Sequence, residues 1–330
     1  MARVYVTRKI PGDALDRLIN SEHEVEVSPF DRVITPQEML EKAKDVDAIL
    51  TLLSERMTPE VMDELGGNLK IISNYAVGFN NINLDAATER GIVVTNTPSD
   101  EVNESVAEHS WALLLALARR VVEADEVTRV GMYKGWEPAL FLGTNVVGKT
   151  LGIVGMGRIG EMMARRAAGF NMRVLYNNRS RKEEVEQSLG VEYRENLKDL
   201  LGESDFISLH VPLTDETHHL INKDTLAATK KGAYIINTAR GPVIYEADLV
   251  DALRSGHLAG VGLDVFENEP AINPELSGME NAIMTPHIAS ATWEARNKMG
   301  DQAVDAILKV LSGERPDTIV NEDVWEKRRQ

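Results

Sequence analysis

The stretch Thr150–Arg179, TLGIVGMGRIGEMMARRAAGFNMRVLYNNR, decides the fold. Leu151–Val154 is a short apolar run and predicts a buried strand. Gly155-Met156-Gly157-Arg158-Ile159-Gly160 follows without a spacer. Glu161–Phe170 then predicts a helix, and Met172–Tyr176 a second strand. Strand, glycine turn, helix and strand in that order make GxGxxG a dinucleotide-binding fingerprint. Gly155 permits the tight turn, Gly157 lets backbone approach a pyrophosphate, and Gly160 lets the helix pack on the strand. Arg158 and Ile159 stand at the helix start, where N–H groups and the positive dipole end favour phosphate.

The end of the second strand selects the cofactor. An NAD site wants a carboxylate about 20 residues after the first glycine, bonded to the ribose 2′-hydroxyl. Here Asn177-Asn178 stands there, followed by Arg179-Ser180-Arg181. Nothing there repels a 2′-phosphate, and two guanidiniums and a hydroxyl suit one. The expected cofactor is NADPH, with NADH as the weaker alternative; the bland alternative is a solvated charged turn.

Working outward, the same alternation continues. Strands are expected at Val191–Tyr193, Asp205–His210, Ala233–Asn237, Gly260–Asp264 and Ala282–Met284, with helices between them. Upstream, strands at Arg3–Thr7, Glu24–Val27, Ala48–Leu53, Lys70–Asn74 and Ile92–Thr95 alternate with helices. The fold class is therefore α/β, with two doubly wound parallel-sheet domains: a Rossmann-type cofactor domain and a flavodoxin-like substrate domain, with a cleft between. The expected division puts 1–98 plus 288–330 in the substrate-binding domain and 99–287 in the dinucleotide-binding domain. A helix is expected over Asn103–Val130, with Ala107, Trp111, Leu114, Leu115 and Ala118 on its apolar faces. Such a face is buried in a core or in a subunit contact, and a homodimer is the favoured reading. Gly131–Asn145 is expected to be an irregular linker, Trp293–Ser312 a closing helix, and Asp317–Gln330 a polar tail.

Composition bounds the function. The 330 residues are enough for two ordinary domains. A net charge of −16 argues against nucleic acid and anionic membranes as partners. Cysteine is absent, which excludes disulfides and thiolate chemistry. MARVYVTRKI lacks a signal peptide's apolar core, and no apolar run is long enough to cross a bilayer, so a cytoplasmic protein is expected. No metal site is expected.

Ligands of such sheets bind beyond the carboxyl ends of the strands. In the first half these positions hold Leu52 and the turn Tyr75-Ala76-Val77-Gly78-Phe79. Val77 and Gly78 either offer backbone N–H groups to an anionic substrate or form a plain turn. In the second half, strand ends lead to Thr238-Ala239-Arg240, to Asp264 and Glu269, and to His287. Together these supply a cation, an acid and a proton donor. His109 reads as a packed or capping residue, His210 as a structural neighbour of the cofactor, and His23 and His257 as exposed.

At these residues the chain resembles a known family. VGMGRIG, INTARGPVIYEADL, GLDVFENEP and TPHIASAT are similar to motifs of the D-isomer-specific 2-hydroxyacid dehydrogenases. NYAVGFNNINLDAATERGIVVTNTP and DFISLHVPLTDETHHLIN extend the likeness over nearly the whole length, closest to glyoxylate and hydroxypyruvate reductases. The resemblance implies that Arg240 holds a substrate carboxylate, that His287 is the general acid, and that Glu269 pairs with His287. A carboxylate there would stabilise the imidazolium. Thr238 and Ala239 would line the cofactor, Asp264 would accept from the nicotinamide carboxamide, and Leu52, Val77 and Gly78 would meet the substrate. The implied reaction is NADPH-preferring reduction of small 2-keto acids, glyoxylate to glycolate and hydroxypyruvate to D-glycerate. The alternatives are an NADH-linked dehydrogenase of other 2-keto acids and a non-catalytic, corepressor-like cofactor sensor. Ser99-Asp100, where relatives often carry glycine, is a departure at the hinge.

Overall fold

The computed structural model describes residues 1–329. It divides into two compact units, Met1–Val102 with the chain from Ala291 onward, and Asn103–Ser290. The first division lies inside the opening turn of the helix Asp100–Ala118, and the second precedes the helix Trp293–Leu311.

In the first unit the described strands are β1 (Arg3–Val6), β2 (Glu24–Val27), β3 (Ala48–Thr51), β4 (Ile71–Asn74) and β5 (Val93–Thr95). They form one parallel sheet in the order β2-β1-β3-β4-β5, the flavodoxin-like order. Two of its crossover helices start on threonines. Thr35 and Glu38 form a reciprocal capping box, and Thr58 accepts from the Val61 N–H with Pro59 in the first position. The helix Trp293–Leu311 returns to this unit and buries Ala295, Met299, Ala303, Val304 and Ile307, packing on β3 and β4.

The final segment, expected to be a polar tail, is docked. Thr95 bridges Ile319 in antiparallel fashion, and Glu322–Lys327 forms a 3-10 turn. The reason is the open edge of β5, whose backbone groups need partners. Asn321 supplies them: its carboxamide accepts from the Val94 N–H (2.9 Å) and donates to Ile92 O (3.0 Å).

In the second unit the described strands are β6 (Thr150–Val154), β7 (Arg173–Asn177), β8 (Glu192–Tyr193), β9 (Phe206–Leu209), β10 (Ala233–Asn237), β11 (Leu258–Leu263) and β12 (Ala282–Met284). Their parallel order is β12-β11-β10-β9-β6-β7-β8, with the reversal at β6 and β9. Both β6 and β9 are buried along their whole length, as strands covered on two faces must be.

The helix expected over 103–130 is two helices, Asp100–Ala118 and Val121–Arg129. They break at Arg120, which has φ 53°, pairs with Glu123 and lays its guanidinium 5.1 Å from the Phe141 ring centre. Ala107, Trp111, Leu114 and Ala118 pack with Leu151, Ile153, Met163 and Phe206 in this unit's own core, so they are not a subunit contact. The second helix has no buried residue. Val121, Val122, Met132, Tyr133, Trp136 and Leu142, on it and after it, are exposed. Among the described residues no helix is long and apolar enough to cross a membrane.

Candidate active site

The glycine turn joins β6 to the helix Arg158–Ala167, which starts at Arg158 rather than Glu161. Gly155 has φ 99°, and a Cβ on it would stand 2.5 Å from His210 O. A Cβ on Gly160 would stand 2.3 Å from Gly155 O, so helix and turn touch through backbone. At Gly157 a Cβ would meet nothing within 4 Å. That side of the turn is open, beside Arg158, Ile159 and Gly160 in the first helical turn, whose N–H groups have no intrahelical acceptor. Such a cradle fits a pyrophosphate.

Asn178, past the end of β7, accepts from the Met156 N–H (3.2 Å) and donates to Ser180 O (2.8 Å), tying the glycine turn to the loop after β7. Arg179 and Ser180 are exposed. Arg181 does not stand ready for a phosphate as expected. Its guanidinium grips Glu186 with two bonds, 2.9 and 2.7 Å, and holds that carboxyl down to about 2. An acid five residues along the chain has captured it.

Three strand ends of the second unit converge. At the end of β10 the buried Asn237 carboxamide accepts from the Ala239 N–H (3.0 Å) and donates to Arg240 O (2.9 Å), fixing the turn Thr238–Arg240. Thr238 Oγ1 lies 2.8 Å from Ser110 Oγ. Burial pushes the Arg240 guanidinium down, with the Glu269 charge opposing. At Gly241 a Cβ would stand 1.8 Å from Phe266 O, so the Arg240 turn lies directly on the segment leading to Glu269. Glu246 and Glu267 lock the two: the Glu246 N–H donates to Glu267 Oε2 (3.1 Å), and the Glu267 N–H to Glu246 Oε1 (2.8 Å). Burial pushes the Glu246 carboxyl up.

Glu269 Oε1 accepts from the Phe266 N–H (3.0 Å), and Oε2 lies 2.9 Å from His287 Nδ1. Burial raises this carboxyl, but His287, the Phe266 N–H and Arg240 outweigh it and hold it below the ordinary value. His287 adopts φ 54°, and among the described residues its Nε2 has no partner. Asp264 is fully buried. Expected to meet the nicotinamide carboxamide, it is engaged by the protein itself. Oδ1 accepts from Thr285 Oγ1 (2.6 Å) and the Ile288 N–H (2.8 Å), and Oδ2 from the Ala289 N–H (2.7 Å). It therefore brackets His287 on both sides. His109 Nε2 lies 2.9 Å from Thr285 Oγ1 in the same cluster, in keeping with a packed residue.

The remaining histidines are structural. Desolvation pushes the His210 imidazole down to about 3, and its ring bonds Ser208 Oγ (2.8 Å). His219 Nε2 lies 2.7 Å from Glu267 Oε1. His257 and His23, both read as exposed, are half-buried, His257 against Thr229 and Leu226 O and His23 beside the Ala2 N–H. Among the described residues no grouping of three or more His, Asp and Glu could hold a metal ion.

In the first unit, Leu52 follows β3, and its N–H is held by the buried Glu55 carboxylate (2.5 Å). Val77 and Gly78 follow β4. Asn96 Nδ2 donates to Val77 O (2.7 Å) and Asn74 Nδ2 to Gly78 O (2.9 Å). Among the described residues the Val77 and Gly78 N–H groups donate to nothing.

Residues 111–289 match the family model described as D-isomer specific 2-hydroxyacid dehydrogenase, NAD binding domain. The chain belongs to the D-isomer specific 2-hydroxyacid dehydrogenase family. It is 49% identical to the glyoxylate reductase of Thermococcus kodakarensis over 99% of this chain and 98% of that one. It is 48% identical to the glyoxylate reductase of Pyrococcus furiosus over 99% and 97%. Among solved structures, a Thermus thermophilus protein superposes with TM-score 0.89 at 44% identity, covering 96% of this chain and 99% of that one. The NADPH-dependent glyoxylate/hydroxypyruvate reductase of Sinorhizobium meliloti, in complex with NADP and malonate, superposes with TM-score 0.85 at 33% identity, covering 100% and 99%.

This dehydrogenase is thus an oxidoreductase that uses a nicotinamide dinucleotide, and its second unit carries the family's NAD-binding domain. The open side of the Gly157 turn fits the pyrophosphate of that cofactor. The motif residues were legible in the sequence. Asn237, Glu246 and Glu267 were missed, because a polar side chain that bonds backbone across a turn leaves no spacing signature.

Proposed function

We propose that this dehydrogenase reduces glyoxylate to glycolate and hydroxypyruvate to D-glycerate, and prefers NADPH to NADH. The observation that carries the reading is the His287–Glu269 pair. Nδ1 is held by the carboxylate, so Nε2 is the atom that delivers a proton. When bound, the nicotinamide supplies the hydride. Arg240 grips the substrate carboxylate through two parallel N–H bonds and orients the carbonyl. His287 Nε2 protonates the carbonyl oxygen as charge builds on it, and Glu269 holds the ring in place through Nδ1. Substrate contacts are also assigned to the N–H groups of Val77 and Gly78 and to Leu52.

Cofactor contacts are assigned to Gly155, Gly157, Arg158, Ile159 and Gly160 at the pyrophosphate, to Thr238 and Ala239 at the nicotinamide end, and to Asn178, Arg179 and Ser180 at the adenosine ribose. The preference for NADPH is supported by the neutral Asn178 and the exposed Arg179, not by Arg181. The names of the Thermococcus and Pyrococcus relatives support glyoxylate as substrate. A rate matrix of NADPH and NADH against glyoxylate, hydroxypyruvate and pyruvate tests both parts. Highest kcat/KM with NADPH and glyoxylate is expected. Faster turnover of pyruvate with NADH would favour the second dehydrogenase reading, and cofactor binding without turnover would favour a sensor. The exposed apolar side chains between Val121 and Leu142 support a homodimer, checked by sedimentation velocity.

A further inference from the structure

We propose that Asn96 and Asn74 are positioning residues that aim the backbone receptor of the substrate carboxylate; this rests on the reductase reading above. A trans peptide is planar, so its C=O and the following N–H point in opposite directions. Fixing a carbonyl therefore fixes the next N–H. Three successive carbonyls are fixed here. The Thr97 N–H donates to Ala76 O (2.9 Å), Asn96 Nδ2 to Val77 O (2.7 Å), and Asn74 Nδ2 to Gly78 O (2.9 Å). The N–H groups turned the other way belong to Val77, Gly78 and Phe79, and among the described residues none of them has an acceptor. Successive N–H groups aimed together form an anion-binding concavity.

Both carboxamides are themselves held. Asn96 is anchored through its own N–H to Thr318 O (3.2 Å), next to the docked chain end. Asn74 is fully buried, and its Oδ1 accepts from Thr51 Oγ1 and Asn81 Nδ2, both at 3.3 Å. Asn81 also donates to Leu52 O (3.2 Å) and Glu55 O (2.9 Å), so the Leu52 segment belongs to the same frame. The side chains that fix the receptor are neutral donors, which orient the peptides without placing a negative charge beside the anion.

Asn96 is the better test, because Asn74 is the hub of a buried network. Full-length wild type, Asn96→Ala and the isosteric Asn96→Asp are compared; both variants lose the donor, and the Asp form preserves the size if the Ala form does not fold. The readouts are KM and kcat for glyoxylate at saturating NADPH, the dissociation constant of oxalate by calorimetry, and the dissociation constant of NADPH by fluorescence. Loss of ground-state and transition-state binding alike raises KM with kcat held. On one lost hydrogen bond's worth of aim, KM and the oxalate constant should rise together by about tenfold, with kcat within about threefold and NADPH binding unchanged. Unchanged KM and oxalate binding in a folded variant, or a fall in kcat at constant KM, overturns the proposal. Wild type that binds oxalate but does not turn over glyoxylate would sink the reductase reading instead, and the oxalate arm would still decide the role of Asn96.

Discussion

His287 occupies a left-handed backbone conformation that non-glycine residues seldom take, and such strain persists where its surroundings over-determine it. Asp264 does so here, bonding Thr285, Ile288 and Ala289 on either side of it. Replacing His287 with Asn should lower kcat for glyoxylate reduction by about 10²–10⁴-fold, the usual contribution of a general acid, with cofactor affinity retained in a fluorescence titration. Glu269→Gln removes a charge-assisted bond of about 1.5–3 kcal/mol, so kcat/KM should fall by roughly ten- to a hundredfold. Since Glu269 is held below the ordinary glutamate value, its contribution persists down to acidic pH and is lost only as pH falls through that lowered value. A wild-type rate profile from pH 4 to 7 that loses this contribution near neutrality would contradict the assignment. Arg179→Asp should weaken NADPH far more than NADH, whereas Arg181→Ala should spare both, because Arg181 is committed to Glu186. At this scale a motif is legible in sequence through residue type and order, but the capture of Arg181 is not. Which anion a guanidinium takes depends on a neighbour's rotamer, and the sequence offered both.

Among the elements, the helix after the glycine turn depends on a contact without side chains. Gly160→Ala would push a Cβ onto the carbonyl of Gly155, and overpacking against backbone costs about 1–3 kcal/mol. Thermal unfolding should shift down, and NADPH binding should weaken more than oxalate binding. The edge beyond β7 carries a charge network. Arg173 holds Glu192, and Arg194 holds Glu203, each carboxyl at about 2. The folded values lie below the ordinary 4.5, so this contribution is present above that pH and fades as pH falls toward about 2. Melting temperatures between pH 5 and 3 should fall more steeply for wild type than for Glu192→Gln/Glu203→Gln; parallel curves would show the network to be inert. The strands were readable because buried parallel strands are continuous apolar runs. The break at Arg120 was not, since Arg119-Arg120 sits in an unbroken helical pattern and its left-handed turn rests on Glu123 and Phe141, contacts made after folding.

At the scale of the whole molecule, two α/β units were legible from alternation alone, and the docking of the chain end was not. Polar residues such as Asn321 look solvated until an open strand edge gives them work. If the exposed apolar run after Arg120 is covered by a second copy, charged substitutions at Val122 and Tyr133 should produce monomers in sedimentation without loss of the fold. The interrupted first unit has a consequence for biosynthesis. Its core lacks the helix Trp293–Leu311 until Asn103–Ser290, one uninterrupted insert, has been synthesised. The nascent chain can therefore complete its nucleotide-binding unit while Met1–Val102 still waits for its missing layer, and a premature stop near Ser290 would strand that segment with one sheet face lacking its helix.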